Sequence, residues 1–457
     1  MQKRIKMNER PPGERTKDFN SVGQGYTPEQ ARQEAQRCLQ CKKPTCIEGC
    51  PVEINIPGFI KALAEDDPAK AIAILKDKNN LPSVCGRVCP QEEQCELKCV
   101  LKNKGEPVAI GNLERYAADW EKNKGGAGSS ITAIPGNGIK VAVVGSGPAG
   151  LTCAGDLAKK GFAVTVFESL HRPGGVLRYG IPEFRLPAAI LDDELRYLES
   201  VGVHFVVNAL VGRTKTVAEL FEEGFKAVFI GTGAGLPAFP GVPGENLNHV
   251  YSANEFLVRV NLMRAFEFPG YDTPVYVGKK VVVIGGGNTA MDAARTARRM
   301  GAGEVMIIYR RSENEMPARR EEIAHAREEG IEFLMLTNPV RFSGDDKGFL
   351  QEVECVKMEL GAPDASGRRS PATIAGSNFT IAADTAIIAI GMSPNPLLIS
   401  LTPGIETDKR GRLIVDENLM TTMPGVFAGG DIIGGETVIQ AMGMGKKAAR
   451  AMEKFLG

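Results

Sequence analysis

KVAVVGSGPAGLTCAGDLAKKGFAVTVFE, residues 140–168, is the stretch on which the fold turns. The apolar run VAVV reads as a buried strand. It leads into Gly145, Ser146, Gly147, Pro148, Ala149 and Gly150, then a helical stretch, then a second strand that ends at Glu168. Gly145 supplies a tight turn, Gly147 lets the backbone approach a pyrophosphate, and Gly150 lets helix and strand pack closely. The helix start offers free N–H groups to phosphate, and an acid in the place of Glu168 accepts bonds from ribose hydroxyls. The stretch predicts an α/β dinucleotide-binding unit.

The same grammar recurs in KVVVIGGGNTAMDAARTARRMGAGEVMIIYRR, residues 280–311, which implies an internal duplication. Here the turn is Gly285, Gly286, Gly287, Asn288, Thr289 and Ala290, with alanine in the third glycine's place. The second strand ends in Arg310 and Arg311 rather than an acid. A guanidinium holds a 2′-phosphate bidentately, so this unit is expected to take NADP(H) over NAD(H); a solvated strand end is the alternative. Other segments favour FAD in the first unit. RPGGVLRYGIPEFRLP places Gly174 and Gly175 where side chains would obstruct a flat ring, with Leu177 behind them. VFIGTGA supplies Gly231, Thr232 and Gly233, AIIAIGM supplies Gly391, and the closing segment carries Gly430, Asp431, Thr437 and Val438 ahead of a helix. An acid such as Asp431 can bond ribityl hydroxyls, and the helix start favours negative charge on a reduced flavin.

Around these units lie two further regions. Residues 1–122 read as helical, with a Thr27 cap and Pro28 in the first turn of one helix and a break near Pro68 in another. Residues 123–139 are Gly- and Ser-rich and read as a linker. The expected organisation is a helical domain over 1–122, an FAD domain from 140–265 and 385–457, and an NADP(H) domain inserted over 266–384. The fold class is α/β with two nested Rossmann-like domains. In 457 residues, Lys+Arg and Asp+Glu balance at 55 each, so no net field draws the chain to nucleic acid or to an anionic membrane. The polar N-terminus is no signal peptide, and no apolar run is long enough to span a bilayer. A reducing cytoplasm is expected, which counts against disulfides.

Eight of the ten cysteines fall in two runs. RCLQCKKPTCIEGCP holds Cys38, Cys41, Cys46 and Cys50; VCGRVCPQEEQCELKC holds Cys85, Cys89, Cys95 and Cys99. The first has the spacing C-x2-C-x4-C-x3-C-P, a stretched form of the ferredoxin run, whose last cysteine often serves a second cluster. Zinc is the alternative. Cys153 and Cys355 have no neighbouring thiol in sequence and read as packed side chains. His171, His204, His249 and His325 form no hydrolytic constellation with serine or cysteine, so the chemistry is expected to rest on cofactors.

The part from residue 140 onward resembles the two-dinucleotide-domain flavoproteins. Adding RCLQCKKPTCIEGCPVEINIPGFI, LPSVCGRVCP, AIGNLERYAADW and YRRSENEMPARREE, the chain from about Gly25 to the end resembles the family of glutamate synthase small subunits and the N-terminal half of dihydropyrimidine dehydrogenase. Within it, the likeness is strongest to the large subunit of NADH-dependent reduced ferredoxin:NADP⁺ oxidoreductase, an electron-bifurcating complex. The resemblance implies an oxidoreductase with FAD, NADP(H) and two 4Fe-4S clusters. It implies Cys38, Cys41, Cys46 and Glu114 at one cluster and Cys50, Cys89, Cys95 and Cys99 at the other, with Cys85 the alternative to Glu114. It also implies an FAD contact from Arg185, for which a structural salt bridge is the alternative. The partner implied is a smaller FAD and 2Fe-2S electron-transfer subunit or a ferredoxin-type protein; a glutamate synthase large subunit is the other candidate.

Overall fold

The computed structural model describes residues 3–124, 135–364, 367–435 and 437–457; most of the expected linker, residues 125–134, lies outside them. Two five-stranded parallel sheets form the body. In the first, Lys140–Val144 lies at the centre, in the order Val426–Ala428, Phe225–Ile230, Lys140–Val144, Ala163–Phe167, Val203–Val206. In the second the order is Glu332–Met335, Glu304–Tyr309, Lys280–Ile284, Thr385–Ile388, Val250–Ser252. Both central strands are buried after their first residue, as sheets covered on two faces require.

The second unit is larger than expected. Val250–Ser252 and Thr385–Ile388 both pair inside its sheet, although the expected boundaries gave residues 250–265 and 385–388 to the first unit. The chain crosses between units through a two-stranded antiparallel ribbon, Leu236–Pro237 with Met392–Ser393, so the insertion runs from about 238 to 391. A three-residue strand such as Val250–Ser252 is too short to carry a period, which is why the pattern did not reveal it. The second unit also carries an antiparallel sheet that sequence reading did not find. Its strands are Thr337–Gly344, Leu350–Pro363, Arg369–Thr373 and Phe379–Ala382.

Residues 27–123 fold as short helices, among them Pro28–Gln36, Ile56–Ala64, Pro68–Lys78, Pro82–Val88 and Ile110–Asn123. Thr27 closes a capping box with Gln30, and Asp67 caps the helix that begins at Pro68. This module packs on the first unit through polar ties. Asn80 Nδ2 donates to Asp156 Oδ1 (2.8 Å), and the buried Lys446 donates to Asp156 Oδ2 (2.8 Å) and to the Lys78 carbonyl (2.9 Å). The last helix, Val438–Leu456, lies along Pro148–Ala158 and reaches the helical module. A Cβ at Gly445 would stand 2.2 Å from the Ala149 carbonyl oxygen, and one at Gly443 would stand 2.9 Å from that of Pro51. Glycine at these two positions is what lets the helix come so close.

A third tie comes from the N-terminal segment. Arg15 is 1% exposed and donates from Nε to Glu329 Oε1 at 2.8 Å. Glu329 also accepts from Arg295 and Arg299 on the helix Asn288–Arg299. Phe184 lies against this network, with the Arg299 guanidinium 3.9 Å from its ring centroid. The second unit is thereby fastened to residues that precede the helical module.

Candidate functional site

Two glycine turns open two neighbouring cavities. In the first, Gly145 has φ +98°, and a Cβ there would meet the Gly231 carbonyl oxygen at 2.5 Å. A Cβ on Gly150 would stand 2.0 Å from the Gly145 oxygen, and one on Gly175 2.7 Å from the Gly147 Cα. The turn tolerates no side chains at these points, and the helix Pro148–Ala158 begins directly behind it. The cavity in front measures about 490 Å³ and is lined by residues 144–149, Glu168, Gly175, residues 231–233, Gly430, Asp431, Thr437 and Val438. A backbone cradle beside a helix N-terminus and two acids is the donor and acceptor set that a dinucleotide's phosphates and sugar hydroxyls need. Glu168 is 5% exposed and accepts from the Ser146 N–H at 3.0 Å and from the Leu170 N–H at 2.9 Å, which fixes its carboxylate at the cavity edge.

Four expected residues of this site do not line the cavity. Gly150 lies behind the turn as a packing glycine, Gly174 donates its N–H to Ser146 Oγ (2.8 Å), and Leu177 is 2% exposed in the core. The Gly-Gly spacing is right, but the left-handed φ of both Gly174 and Gly175 turns the chain so that only Gly175 meets the cavity. Gly391 lines the second cavity, not this one, because its strand belongs to the second sheet.

The second cavity, also about 490 Å³, opens in front of Gly285, Gly286 and Gly287. A Cβ at Gly285 would stand 2.3 Å from the Ala389 oxygen, and one at Gly286 2.7 Å from the Tyr309 ring. Ala290 is fully buried where the first unit has Gly150. Arg310, Arg311 and Arg368 stand in one wall. The two strand-end arginines differ. Arg311 is 6% exposed and held by the Arg369 carbonyl (2.8 Å) and Asp364 (2.9 Å), whereas Arg310 is exposed. Arg368 was not expected, since it lies 57 positions beyond Arg311, between the strands Leu350–Pro363 and Arg369–Thr373. Asn254, Thr289 and Met392 line both cavities, and Asn288 and Asp292 line the first. The two cavities therefore adjoin at the start of the helix Asn288–Arg299.

Arg185 reaches the first cavity from below, and its guanidinium is committed. Nη1 donates to both Asp292 oxygens (2.8 and 2.6 Å), and Nε lies 2.9 Å from Glu322. The salt bridge set beside the flavin contact in the sequence reading is present, and it joins the two units.

The cysteines divide into two groups, and not as the resemblance implied. Cys38, Cys41, Cys46 and Cys99 surround one small cavity with Pro44, Thr45 and Lys98. The Thr45 hydroxyl donates to the Lys98 carbonyl at 2.7 Å and closes the two runs on each other. Cys50, Cys85, Cys89 and Cys95 form the second group, whose thiols feel one another and Glu114 electrostatically. Cys99 thus joins the first group, and Glu114 stands with the second. The physical reason lies in the short turns Thr45–Glu48 and 95–99. Cys46 lies within the first turn and Cys50 just past it, and Cys95 and Cys99 bound the second, so the last thiol of each run falls with the other run's group. Glu114 is 6% exposed and accepts from Asn79 Nδ2 at 2.8 Å, and burial pushes its carboxyl up to about 8. Burial likewise pushes the Cys46 thiol to about 11 and Cys50 to about 12.

Single-ion zinc fits poorly. Tetrahedral Zn–S bonds of ~2.3 Å put sulfurs ~3.8 Å apart. The only three-donor set within 4.8 Å among the described residues is Glu9, Glu321 and His325. Thiols in fours, spaced more widely than one ion requires, fit an iron–sulfur cluster. The second group lies beside the first cavity, since Val88 and Pro90, on either side of Cys89, line it. Cys85 also touches Met442 of the last helix (Sγ to Sδ 3.5 Å). Cys153 and Cys355 are fully buried core residues.

Comparison with known proteins places both parts of the chain in known families. The family described as dihydropyrimidine dehydrogenase domain II, 4Fe-4S cluster, matches residues 15–126, and the pyridine nucleotide-disulphide oxidoreductase family matches residues 139–445. The glutamate synthase [NADPH] small chain of Halomonas elongata is 38% identical over 98% of this chain and 95% of its own length. That of Escherichia coli is 37% identical over 96% and 94%. The NADPH-Fe(3+) oxidoreductase subunit beta of Geobacter sulfurreducens is 38% identical over 90% of this chain, which spans 63% of that relative. Among solved structures, FprA from Mycobacterium tuberculosis in complex with NADPH superposes with a TM-score of 0.58 at 21% identity, over 71% of this chain and 85% of that one, a likeness of fold. With a matched family model over two thirds of its length and near full-length relatives at this identity, the chain belongs to the pyridine nucleotide-disulphide oxidoreductase family, in the group of glutamate synthase small chains that carry an N-terminal 4Fe-4S module, and it is an oxidoreductase of the FAD- and NADP-linked iron–sulfur class.

Proposed function

We propose that the chain is the NADPH-side subunit of an electron-transfer complex, with FAD in the first cavity, NADP(H) in the second and one 4Fe-4S cluster at each cysteine group. FAD and NADP(H) supply hydride exchange when bound there, and clusters supply single-electron transfer. The observation that carries the reading is adjacency: the nucleotide cavities share Asn254 and Thr289, and the second cysteine group flanks the first cavity through Val88 and Pro90.

The chain's own residues then have separate tasks. The turn 145–150 and the start of Pro148–Ala158 hold a pyrophosphate, while Glu168 and Asp431 offer acceptors to sugar and ribityl hydroxyls. Gly285, Gly286 and Gly287 hold the second pyrophosphate, with Arg310 and Arg368 beside the ribose. Arg185, Asp292 and Glu322 fix the first unit against the helix that carries Asn288 and Thr289, so the two cavities keep their relative position. Cys38, Cys41, Cys46 and Cys99 serve the outer cluster. Cys50, Cys89 and Cys95, with Glu114 or Cys85, serve the inner one.

A glutamate synthase large subunit is the partner favoured by relatives that match over almost their whole length. Relatives at similar identity named as subunits of an NADP(+)-dependent formate dehydrogenase and of an NADPH-Fe(3+) oxidoreductase support a common NADPH-side module. In that case the partner decides the product, including whether electrons are bifurcated to a smaller flavin and two-iron subunit. Anaerobically purified protein should hold one FAD and about eight iron atoms per chain, and NADPH should bleach the flavin absorbance near 450 nm. Protein with zinc and no flavin, or flavin that NADPH leaves oxidised, would overturn the reading.

A further inference from the structure

The two cysteine groups differ in how they meet solvent. In the first group Cys38, Cys41, Cys46 and Cys99 are all half-buried, whereas in the second only Cys50 is half-buried and Cys85, Cys89 and Cys95 are buried. Three large apolar side chains stand out around the exposed group, with Leu39 56%, Leu97 40% and Val100 38% exposed. Leu39 and Val100 line the same small cavity as the four thiols. Apolar side chains held in water beside a cofactor site are a common mark of an interface centre.

Charge surrounds this centre. Lys42, Lys43, Lys98, Lys102 and Lys104 are exposed and belong to the loops that carry the four thiols. None of them makes an ion pair among the described residues, although lysines elsewhere, such as Lys76, Lys122 and Lys446, are paired. The exposed acids of the same segments are Glu48, Glu93 and Glu106, against five lysines. In a chain whose total charge is zero, this is a local positive excess with an apolar middle, which steers an acidic partner and excludes a basic one.

We propose that the face around Cys38, Cys41, Cys46 and Cys99 is a docking surface for an acidic protein domain that carries its own redox centre. Leu39, Leu97 and Val100 form its dry centre, and the five lysines form its rim. The inference rests on the proposed electron-transfer role, and it adds where the partner sits and what charge it bears.

The test uses the full-length holoprotein and, as probe, a small acidic ferredoxin. Binding is measured by titration calorimetry at several salt concentrations, with basic cytochrome c and phosphatidylserine vesicles in parallel. Ferredoxin should bind, and its affinity should fall steeply with salt. The double variant Lys42→Glu/Lys102→Glu should weaken binding about tenfold or more and flatten the salt dependence, and Leu97→Ser should weaken it at every salt concentration. Lys347→Glu, an exposed charge on the hairpin of the second unit, should change nothing. NADPH-driven reduction of menadione, in which a hydride and a proton give menadiol and NADP⁺, monitors the nucleotide sites separately and should be the same in all variants. Loss of menadione reduction in the parent protein would sink the functional reading. With that activity intact, three results would overturn the docking surface: no ferredoxin binding, equal loss from Lys347→Glu, or tighter binding of cytochrome c or vesicles.

Discussion

Replacing Glu329 by Gln removes the carboxylate on which three buried arginines converge. Glu329 accepts five hydrogen bonds, from Arg15 Nε, from Arg295 Nε and Nη2, and from Arg299 Nη1 and Nη2, at 2.7–3.1 Å. Its side chain is fully buried, as are those of Arg295 and Arg299, and that of Arg15 is 1% exposed. Charged hydrogen bonds contribute ~1.5–3 kcal/mol each, but they share one acceptor and do not add. Breaking a buried ion pair from one side costs about 3–5 kcal/mol, and Glu322 and Glu328 still face Arg295 and Arg15, so the lower half of that range is expected. Glu328→Gln is the control. It also pairs with Arg15 but is half exposed, so its loss should cost under about 1 kcal/mol. Urea unfolding followed by circular dichroism gives both values, and limited proteolysis after Arg15 reports whether the N-terminal segment has come loose. The pH dependence follows in sign. Burial alone would raise the Glu329 carboxyl, but the bonds from Arg299 and Arg295 outweigh it and hold it well below the usual carboxylate range. Its stabilisation is therefore complete above pH ~4.3 and is lost only as pH falls towards the depressed folded value. A cost for Glu329→Gln under about 1 kcal/mol, or one equal to that of Glu328→Gln, would refute the network as the tie between the N-terminal segment and the second unit.

Further outcomes follow from the site. Arg310→Ser and Arg368→Ser should each raise KM for NADPH roughly ten- to a hundredfold, from ~1.5–3 kcal/mol per charged bond, and leave NADH oxidation nearly unchanged; equal losses with both nucleotides would remove them from the 2′-phosphate. Cys99→Ser should alter the same paramagnetic signal as Cys38→Ser, and Cys50→Ser the other one, so a shared signal for Cys99 and Cys50 would reverse the grouping. Burial lifts the Glu194 carboxyl to about 7, against a hydrogen bond from the Ser83 N–H at 2.6 Å. A raised carboxyl erodes stability as pH climbs from ~4.3 towards that value. Glu194→Gln should flatten the decline in unfolding midpoint between pH 5 and 8, and an unchanged slope would assign it to other groups.

The glycine turns were legible because their demand is local. A Cβ at Gly150 collides with the Gly145 carbonyl of the same motif, and one at Gly145 or Gly285 with a carbonyl just past the strand beside it in the sheet, so the residue type itself reports the close packing. The nested order of the two units was legible for the same reason. Their boundary was not, because it depends on pairing by Val250–Ser252, whose partner Thr385–Ile388 lies more than 130 residues away. Arg311 shows a different limit. A strand-end arginine in sequence says nothing of Asp364, which takes its guanidinium, and Arg368 reaches the same wall only through a hairpin. For the thiols, the ferredoxin-like spacing predicted that Cys50 would leave its run. The same logic applies to Cys99, but the second run has no recognisable template, and its crossing appears only once Thr45 is bonded to Lys98.

That exchange of one cysteine in each direction has a consequence for how the molecule is made. Neither four-thiol set can close until residues 38–50 and 85–99 have both been synthesised and brought together. A nascent chain with the first run alone offers three thiols of one set and one of the other, so neither set is complete. Because metal binding and folding draw on the same free energy in such modules, a cluster held at either group would join both runs at once. On the proposed two-cluster reading, a chain that held one cluster would already have aligned the ligands of the second.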